Sequence, residues 1–131
     1  MEDIIGLLEK PDTTVAIVGA TDNPAKYGYV IYRDLKRKGF SIFPVNHNRG
    51  TVDQDTAFKT LAEIPGAPTV VNIVVPPEET LLILQQCLEL GLMNVWLQPG
   101  TESEANLTFL QEHSFNYLAN ACIMVQSRVK V

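Results

Sequence analysis

The sequence predicts an α/β protein: one Rossmann-like domain with a doubly wound, five-stranded parallel sheet and helices on both faces. Two observations support this fold class. Short apolar runs alternate with longer amphipathic segments along all 131 residues, as in successive βαβ units. The run VAIV at Val15–Val18 is apolar at every position, which indicates a strand covered on both faces. Composition does not change along the chain, so we expect a single domain over residues 1–131.

The first part of the chain is predicted to contain two helices and two strands, because Pro11 and Gly39 end the helical patterns. These elements are a helix at 3–9, a strand at 14–19, a helix at 27–38 and a strand at 40–45. The polar segment 46–55 is expected to be a loop, and the segment 57–68 a short helix that stops at Pro65 and Gly66.

The remainder is predicted to hold three strands and two longer helices. Gly91 is expected to end the first of these helices, and Thr101 to cap the second, with Glu104 as its capping-box partner. The expected elements are strands at 70–75, 94–98 and 115–119, helices at 76–90 and 101–113, and a tail of twelve residues packed on the domain.

The charge and the cysteine content argue against several classes of protein. A net charge of −5 disfavours a nucleic acid or an acidic membrane as partner, because both require a basic face. The apolar runs are too short to span a membrane, and the N-terminus lacks the pattern of a signal peptide, so we expect a soluble cytoplasmic protein. Cys87 and Cys122 do not have the spacing of a zinc site, and two cysteines do not make a disulfide scaffold.

The turn after the first strand is a candidate phosphate site. The three glycine positions of the dinucleotide fingerprint are occupied here by Gly19, Thr21 and Pro24, and no P-loop motif occurs. Small residues nevertheless leave the backbone N–H groups of the turn accessible at a helix N-terminus, where Lys26 adds a full positive charge. The alternative is ordinary turn and capping chemistry without a ligand.

The end of the second strand provides a second indication of ligand type. An NAD-binding domain usually presents a carboxylate there to the ribose hydroxyls. This chain has Asn46, His47, Asn48 and Arg49 instead. A basic segment favours a phosphorylated ribose, as in NADP or in the 3′-phosphate of coenzyme A. Alternatively, Arg49 belongs to a solvated loop and binds no ligand.

Four short motifs follow successive predicted strands. They are GATDNPAKYGYV at Gly19–Val30, PVN at Pro44–Asn46, VVPP at Val74–Pro77, and WLQPG at Trp96–Gly100. In this order they resemble the small stand-alone coenzyme A-binding proteins, whose fold is similar to the N-terminal domain of the succinyl-CoA ligase alpha subunit. The resemblance extends from Thr14 to Cys122.

The resemblance implies coenzyme A bound across the strand tips. At the pyrophosphate it assigns Gly19, Ala20, Thr21 and Lys26, and the motif's Gly28 is also present. At the nucleotide end it assigns Asn46 and His47. It places Val75 and Pro76 beside the adenine or the pantetheine, and Gln98 and Gly100 on the far side of the groove. The chain departs from the family at His47, where relatives commonly have proline. It also departs at Asn120–Ile123, where many relatives have Arg or Asn before a Cys-Pro pair.

No Ser-His-Asp order, carboxylate pair or metal-ligand cluster is evident, and His113 is explained by its position at a helix C-terminus. The sequence therefore favours a non-catalytic protein that binds coenzyme A or an acyl-CoA. The alternatives are an NADP-linked oxidoreductase or redox sensor, and an interaction domain with a vestigial groove. Cys122 is a candidate for a mixed disulfide with the coenzyme A thiol, or else a small apolar side chain.

Overall fold

The structure of the chain is a computed structural model that describes residues 3–130. Its helices are α1 (Ile4–Leu8), α2 (Tyr27–Arg37), α3 (Pro77–Leu90), α4 (Glu104–Glu112) and α5 (Ile123–Gln126). Its strands are β1 (Thr14–Val18), β2 (Ser41–Val45), β3 (Thr51–Val52), β4 (Asp55–Thr56), β5 (Val70–Ile73), β6 (Asn94–Leu97) and β7 (Asn116–Leu118).

Five parallel strands form the central sheet in the order β2-β1-β5-β6-β7. From β1 the chain first moves outward to β2 and then returns to the other side of β1 to form β5. The strand order therefore reverses between β1 and β5, and in open α/β sheets ligands bind at the carboxyl ends of the strands at such a point. The predicted doubly wound, five-stranded parallel sheet is confirmed.

Helices cover both faces of this sheet and divide the core into two clusters. Side chains of α1, α2 and α5 pack on one face with Ile17 and Trp96, and α3 and α4 pack on the other with Ala16 and Val95. Trp96 is fully buried, and its indole N–H donates to the carbonyl of Ala121 at 2.8 Å. Burial on both faces explains why the run Val15–Val18 of β1 is apolar at every position. No helix within residues 3–130 is long and apolar enough to cross a membrane.

The polar segment predicted as a loop contains the hairpin formed by β3 and β4, so the prediction was wrong there. Asp53 and Gln54 connect the two strands, with φ angles of 49° and 69°. A two-residue hairpin turn uses this left-handed conformation, which Asn-Gly or Asp-Gly commonly signals in a sequence. Asp-Gln does not carry that signal. Val52 anchors the hairpin by complete burial.

The helix predicted for residues 57–68 is also wrong, because this segment holds only one 3₁₀ turn, Leu61–Glu63. Backbone pairing with the central sheet explains the difference. The N–H of Phe58 donates to Pro44 O at 2.9 Å, and its carbonyl accepts from Asn46 N at 2.9 Å. These bonds hold the segment extended beside the end of β2, so tertiary pairing overrides the local helical pattern.

Thr101 does not cap α4, contrary to the prediction. Ser103 is the N-cap, and its hydroxyl accepts from Asn106 N at 3.1 Å. The Thr101 hydroxyl instead donates to the carbonyl of Gln98 at 2.7 Å, which closes the turn after β6. Gly91 ends α3 in the left-handed conformation, as predicted.

The last residues pack on the domain as predicted, and they include the unpredicted short helix α5. The Lys130 backbone N–H donates to Lys38 O at 2.7 Å, and the Lys130 ammonium donates to the carbonyls of Leu8 and Lys10. The Lys38 ammonium donates to Met124 O at 2.7 Å and lies 2.8 Å from Asp34 Oδ2. The C-terminal segment is thereby joined to α1 and α2.

One close approach fixes where α2 begins relative to β1. A Cβ atom on Gly28 would lie 2.0 Å from the carbonyl oxygen of Gly19. Only glycine permits this contact, because any side chain would overlap a backbone atom that cannot rotate away. The N-terminus of α2 is thus held directly against the turn that follows β1.

We expect Gly28→Ala to lower the free energy of unfolding by about 1–3 kcal/mol, the usual cost of overpacking. Alanine favours a helix by about 1 kcal/mol relative to glycine, so helix propensity alone would raise the stability of this variant. It therefore does not explain a loss of stability. Gly50→Ala is the matched control, because nothing lies within 4 Å of a Cβ there. Urea unfolding of both variants measures the difference. Equal stability of the two variants would show that the turn and α2 are not tightly joined.

Candidate functional site

A cleft of about 660 Å³ opens at the carboxyl ends of β1, β2 and β5, where the strand order reverses. The turn after β1 forms its base, and Gly19, Thr21, Asn23 and Lys26 line it there. The other sides are the segment after β2, the segment after β4 and the first turns of α3. The cleft is therefore located where an α/β sheet of this order is expected to bind a ligand.

The turn after β1 presents backbone N–H groups beside the cleft. Gly19 has a φ of +105°, and a Cβ atom there would lie 2.9 Å from Cγ1 of Val74. Within the turn, the Thr21 hydroxyl accepts from Asn23 N at 3.1 Å. No acceptor within residues 3–130 is hydrogen-bonded to the backbone N–H of Thr21 or of Asp22. Thr21 lines the cleft, so its N–H is available to an anion there.

Lys26 is the N-cap residue of α2 and lines the cleft with an exposed side chain. No carboxylate in the described part of the chain lies within ion-pair distance of its ammonium group. The helix N-terminus adds a partial positive charge at the same place. Lys26 thus supplies a positive charge to the cleft at the start of α2.

Asn46 holds the end of β2 against the turn. Its side-chain amide donates to Ala20 O at 2.9 Å, and its side-chain oxygen accepts from Asn48 N at 2.8 Å. These bonds use the polar groups of the side chain within the protein. Asn46 therefore stabilises the shape of the cleft, and its side-chain amide and oxygen are already used within the protein.

Two walls of different chemistry face each other across the cleft. The cationic rim consists of Arg49 and Lys59, and the imidazole of His47 also lines the cleft. The apolar wall consists of Val75, Pro76, Leu82 and Ile83, and Leu82 is 59% exposed. Glu79 is the carboxylate among the lining residues. Such a cleft can hold an anionic ligand that also carries an apolar part.

The β3–β4 hairpin is tied both to α2 and to the turn. Asp22 Oδ1 accepts from Asp53 N at 2.7 Å. The Tyr32 hydroxyl donates to Asp55 Oδ2 at 2.6 Å, and the Lys36 ammonium contacts the same oxygen at 2.8 Å. Hydrogen bonds from Lys36 and Tyr32 lower the pKa of Asp55. Burial, followed by the hydrogen bond to Asp55, raises the pKa of Tyr32.

The structure brings together some of the residues that the sequence predicted and separates others. Those that line the cleft are Gly19, Thr21, Lys26, Asn46, His47, Val75 and Pro76. Ala20 is fully buried beneath the turn, and Gly28 lies behind it against Gly19. Gln98, Gly100 and Cys122 follow β6 and β7 at the same edge of the sheet, outside the lining of this cleft.

Gln98 and Cys122 contact each other. Gln98 is fully buried; its side-chain oxygen accepts from Ile123 N at 2.8 Å and its amide nitrogen lies 3.4 Å from the Cys122 sulfur. The Cys122 sulfur also raises the pKa of the exposed Tyr27 hydroxyl. Gln98 thereby joins the end of β6 to the start of α5. Cys87 is completely buried in the core, and burial raises its pKa to about 12.

Sequence reasoning did not identify Lys59 or the exposed residue Leu82 as parts of the site. Lys59 falls in the segment that was predicted to be helical, and only the pairing of Phe58 with β2 brings it to the cleft. Leu82 occurs in an apolar stretch of α3 where exposed and buried positions look alike. The sequence shows only that Leu82 falls in the second turn of the helix that follows VVPP.

The lining residues do not form a hydrogen-bonded pair of nucleophile and base within residues 3–130. His113 caps the C-terminus of α4, and its ring lies 4.3 Å from that of Phe109. No group of three His, Cys, Asp or Glu side chains in the described part of the chain is arranged to hold a metal ion.

Most of the chain is similar to proteins of known sequence or structure. Residues 13–128 match the protein family described as CoA binding domain. The alpha subunit of acetate–CoA ligase (ADP-forming) II from Pyrococcus furiosus is 35% identical over 82 residues, which are 62% of this chain and 18% of that subunit. The chain thus matches less than a fifth of the length of this curated relative.

Two further relatives are similar in size to this chain. An uncharacterized protein of Bacillus subtilis is 27% identical over 118 residues, which cover 88% of this chain and 85% of that protein. The solved structure of a conserved hypothetical protein from Pyrococcus furiosus superposes with a TM-score of 0.85 at 38% identity. It covers 88% of this chain and 99% of its own.

We expect Asp55→Asn to destabilise the protein at neutral pH, because it removes the carboxylate that Lys36 and Tyr32 share. The folded-state pKa of Asp55 is lowered from its ordinary 3.8. Its stabilising contribution is therefore complete above that value and is lost as the pH falls through the lowered pKa. The difference in unfolding free energy between wild type and Asp55→Asn should close in acid, as measured by urea unfolding at several pH values.

Asp12→Asn is the control, since Asp12 is exposed and makes no ion pair within residues 3–130. A difference between wild type and Asp55→Asn that stays constant from neutral to acid pH would show that the carboxylate charge does not hold the hairpin.

Proposed function

The chain belongs to the CoA binding domain family, and from this premise we propose that its cleft binds coenzyme A or an acyl-CoA without catalysing a reaction on it. The observation that carries the proposal is the turn after β1. There Thr21, whose backbone N–H has no partner within residues 3–130, and Lys26, which makes no ion pair within the same residues, line one cleft at the reversal of strand order. Such a group of donors fits a diphosphate.

The backbone at the base of the cleft is shaped for close approach by a ligand. Gly19 adopts a left-handed conformation against Val74, and Gly28 brings the start of α2 to within contact of the same turn. The missing side chain at Gly19 permits its left-handed conformation, and the missing side chain at Gly28 permits α2 to contact the turn from behind. A diphosphate can then contact backbone N–H groups directly.

The apolar wall supports a ligand with an apolar part next to its phosphates. Leu82 is more than half exposed in the absence of a ligand, and Val75, Pro76 and Ile83 adjoin it. A bound adenine ring or pantetheine arm would cover this surface, which favours binding by about 25 cal/mol per Å² of apolar area removed from water. Inorganic phosphate alone would leave the wall exposed.

The chemistry of the cleft supports binding without catalysis. Its lining residues lack a nucleophile that is hydrogen-bonded to a base, and Glu79 is the carboxylate among them. The ligase subunit of Pyrococcus furiosus that resembles this chain is more than five times longer than the matched part. The reaction in the name of that subunit is therefore not carried over to this chain, and we propose ligand binding alone.

An NADP-linked oxidoreductase or redox sensor is the second candidate. The observation that favours it is the end of β2, which presents His47 and Arg49 where an NAD-binding domain presents a carboxylate. This arrangement accepts a phosphorylated ribose in NADP as well as in coenzyme A. A direct comparison of the two ligands distinguishes the candidates.

We expect calorimetric titration to show coenzyme A binding, and Lys26→Gln to weaken it about tenfold through loss of a charge-assisted hydrogen bond. Arg128→Gln is the matched control, because it removes an exposed positive charge outside the cleft. NADP bound in preference to coenzyme A would support the second candidate. No binding of coenzyme A, NADP, NAD or ATP by folded protein would favour an interaction domain with a vestigial groove.

The assignment of Gln98, Gly100 and Cys122 to the far end of the ligand stays a prediction. These residues follow β6 and β7, so a pantetheine arm that runs along the carboxyl edge from the cleft would approach them. We expect the Cys122 thiolate to attack coenzyme A disulfide, forming a Cys122–coenzyme A bond and releasing the other half as its thiolate.

Mass spectrometry after incubation with coenzyme A disulfide should show one coenzyme A added, and a reductant should remove it. Cys122→Ser should abolish the addition, whereas Cys87→Ala should retain it because Cys87 is fully buried. Addition to the Cys122→Ser protein would contradict this placement of the thiol.

A further inference from the structure

We infer that a groove between α3 and α4 is the docking surface for a basic, amphipathic helix of a partner protein. The groove has a volume of about 600 Å³ and lies on the face of the sheet opposite α2. We call it the acidic groove, and its lining includes Leu81, Glu104, Ala105, Thr108, Phe109 and Glu112. The inference goes beyond the proposed function and does not depend on which ligand the cleft binds.

The middle of the acidic groove is apolar and open to solvent. Leu81 and Phe109 are partly buried there, whereas the small side chains of Ala105 and Thr108 are exposed beside them. Ala105 and Phe109 are one turn apart on α4, so they lie on the same face of the helix. Small side chains between two helices allow a third helix to pack its ridges closely into the groove. Recognition of an amphipathic helix buries apolar residues at this spacing.

Carboxylates stand at both ends of the acidic groove. Glu104 and Glu112 are the first and the last residue of α4, about 12 Å apart along the helix axis. Both side chains are exposed, and neither forms an ion pair within residues 3–130. They are therefore free to contact positive side chains on either side of an apolar helix face.

Two of the carboxylates on these helices do not help the isolated domain. Glu112 and Glu89 are in the last turns of α4 and α3, where the helix dipole leaves a partial negative charge. Glu89 lies one turn beyond Gln85, which also lines the acidic groove. No basic residue occurs in either last turn to offset these charges. A cation supplied by another molecule would relieve this repulsion.

The whole segment that carries α3 and α4 lacks positive side chains. Residues 60–127 contain no lysine or arginine, and all ten such residues of the chain lie before or after this segment. A surface with charge of one sign attracts a partner of the opposite sign. It repels nucleic acids and the anionic surface of a membrane. This complementarity selects a basic segment of protein as the occupant.

A second copy of the chain does not offer such a segment. Arg33 and Lys36 of α2 are paired with Asp53 at 2.9 and 3.1 Å, and Lys38 is paired with Asp34 at 2.8 Å. The basic residues of this helix therefore already have carboxylate partners within their own molecule. A different protein, whose basic residues are free, fits the acidic groove better.

The position of α3 places the partner next to the cleft. Leu82 and Ile83 line the cleft, whereas Leu81 and Gln85 line the acidic groove. The two sites thus share one helix and use different sides of it. A docked partner would contact the helix that also forms the apolar wall.

The test is calorimetric titration with a synthetic helical peptide of alanine, leucine and lysine, about 18 residues long, or five turns. Its leucines form one face and its lysines flank that face. We expect wild type to bind it in the micromolar range, and Glu104→Gln combined with Glu112→Gln to weaken binding about tenfold. Glu9→Gln combined with Asp12→Asn is the matched control, because it removes two exposed carboxylates outside the acidic groove.

Two altered peptides separate the groove from simple attraction of charge. Replacement of the lysines by glutamate should abolish binding, and replacement of the leucines by alanine should weaken it at least about tenfold, since apolar burial is lost. Amide chemical-shift changes on adding the original peptide should be confined to α3 and α4.

Equal weakening of binding in the two double variants, or equal binding of the leucine and alanine peptides, would overturn the docking surface in favour of non-specific attraction. Absence of binding to folded wild type would overturn it as well. A dimer in equilibrium sedimentation that dissociates when Glu104 and Glu112 are replaced would assign the acidic groove to a second copy, against this inference.

Discussion

The contact between Gly28 and the carbonyl of Gly19 is the constraint on which the site depends. It places the first turn of α2 directly on the turn after β1, at a distance that no side chain permits. The N-terminal end of the helix, the Thr21 N–H and Lys26 are thereby brought to the same end of the cleft. Without this contact, the same residues would be a loop between a strand and a helix.

The central sheet and the inner half of the site follow from patterns that are local in the sequence. Apolar runs such as Val15–Val18 predict buried parallel strands, and the glycines of the first turn mark a close approach of the backbone. Gly19, Thr21 and Lys26 were therefore identifiable as parts of a site at the first strand tip. The rule that ligands bind where strand order reverses connects these residues to the end of β2.

The outer half of the site depends on contacts between residues distant in the sequence. The segment around Phe58 has a helical pattern, yet its backbone bonds to Pro44 and Asn46 hold it extended. Lys59 reaches the cleft for that reason alone. The β3–β4 hairpin likewise forms without a common turn signal, because Val52 is buried and because Asp53 and Asp55 contact α2. No local propensity encodes either arrangement.

Because ion pairs attach the β3–β4 hairpin, salt affects this part of the protein. Exposed ion pairs join Asp53 and Asp55 to α2, and the segment between β2 and the hairpin carries Arg49. At an ionic strength of 0.15 M the Debye length is about 8 Å, so counterions weaken both these pairs and the attraction of the rim for an anion. Higher ionic strength therefore weakens both the binding of an anionic ligand and the attachment of the β3–β4 hairpin to α2.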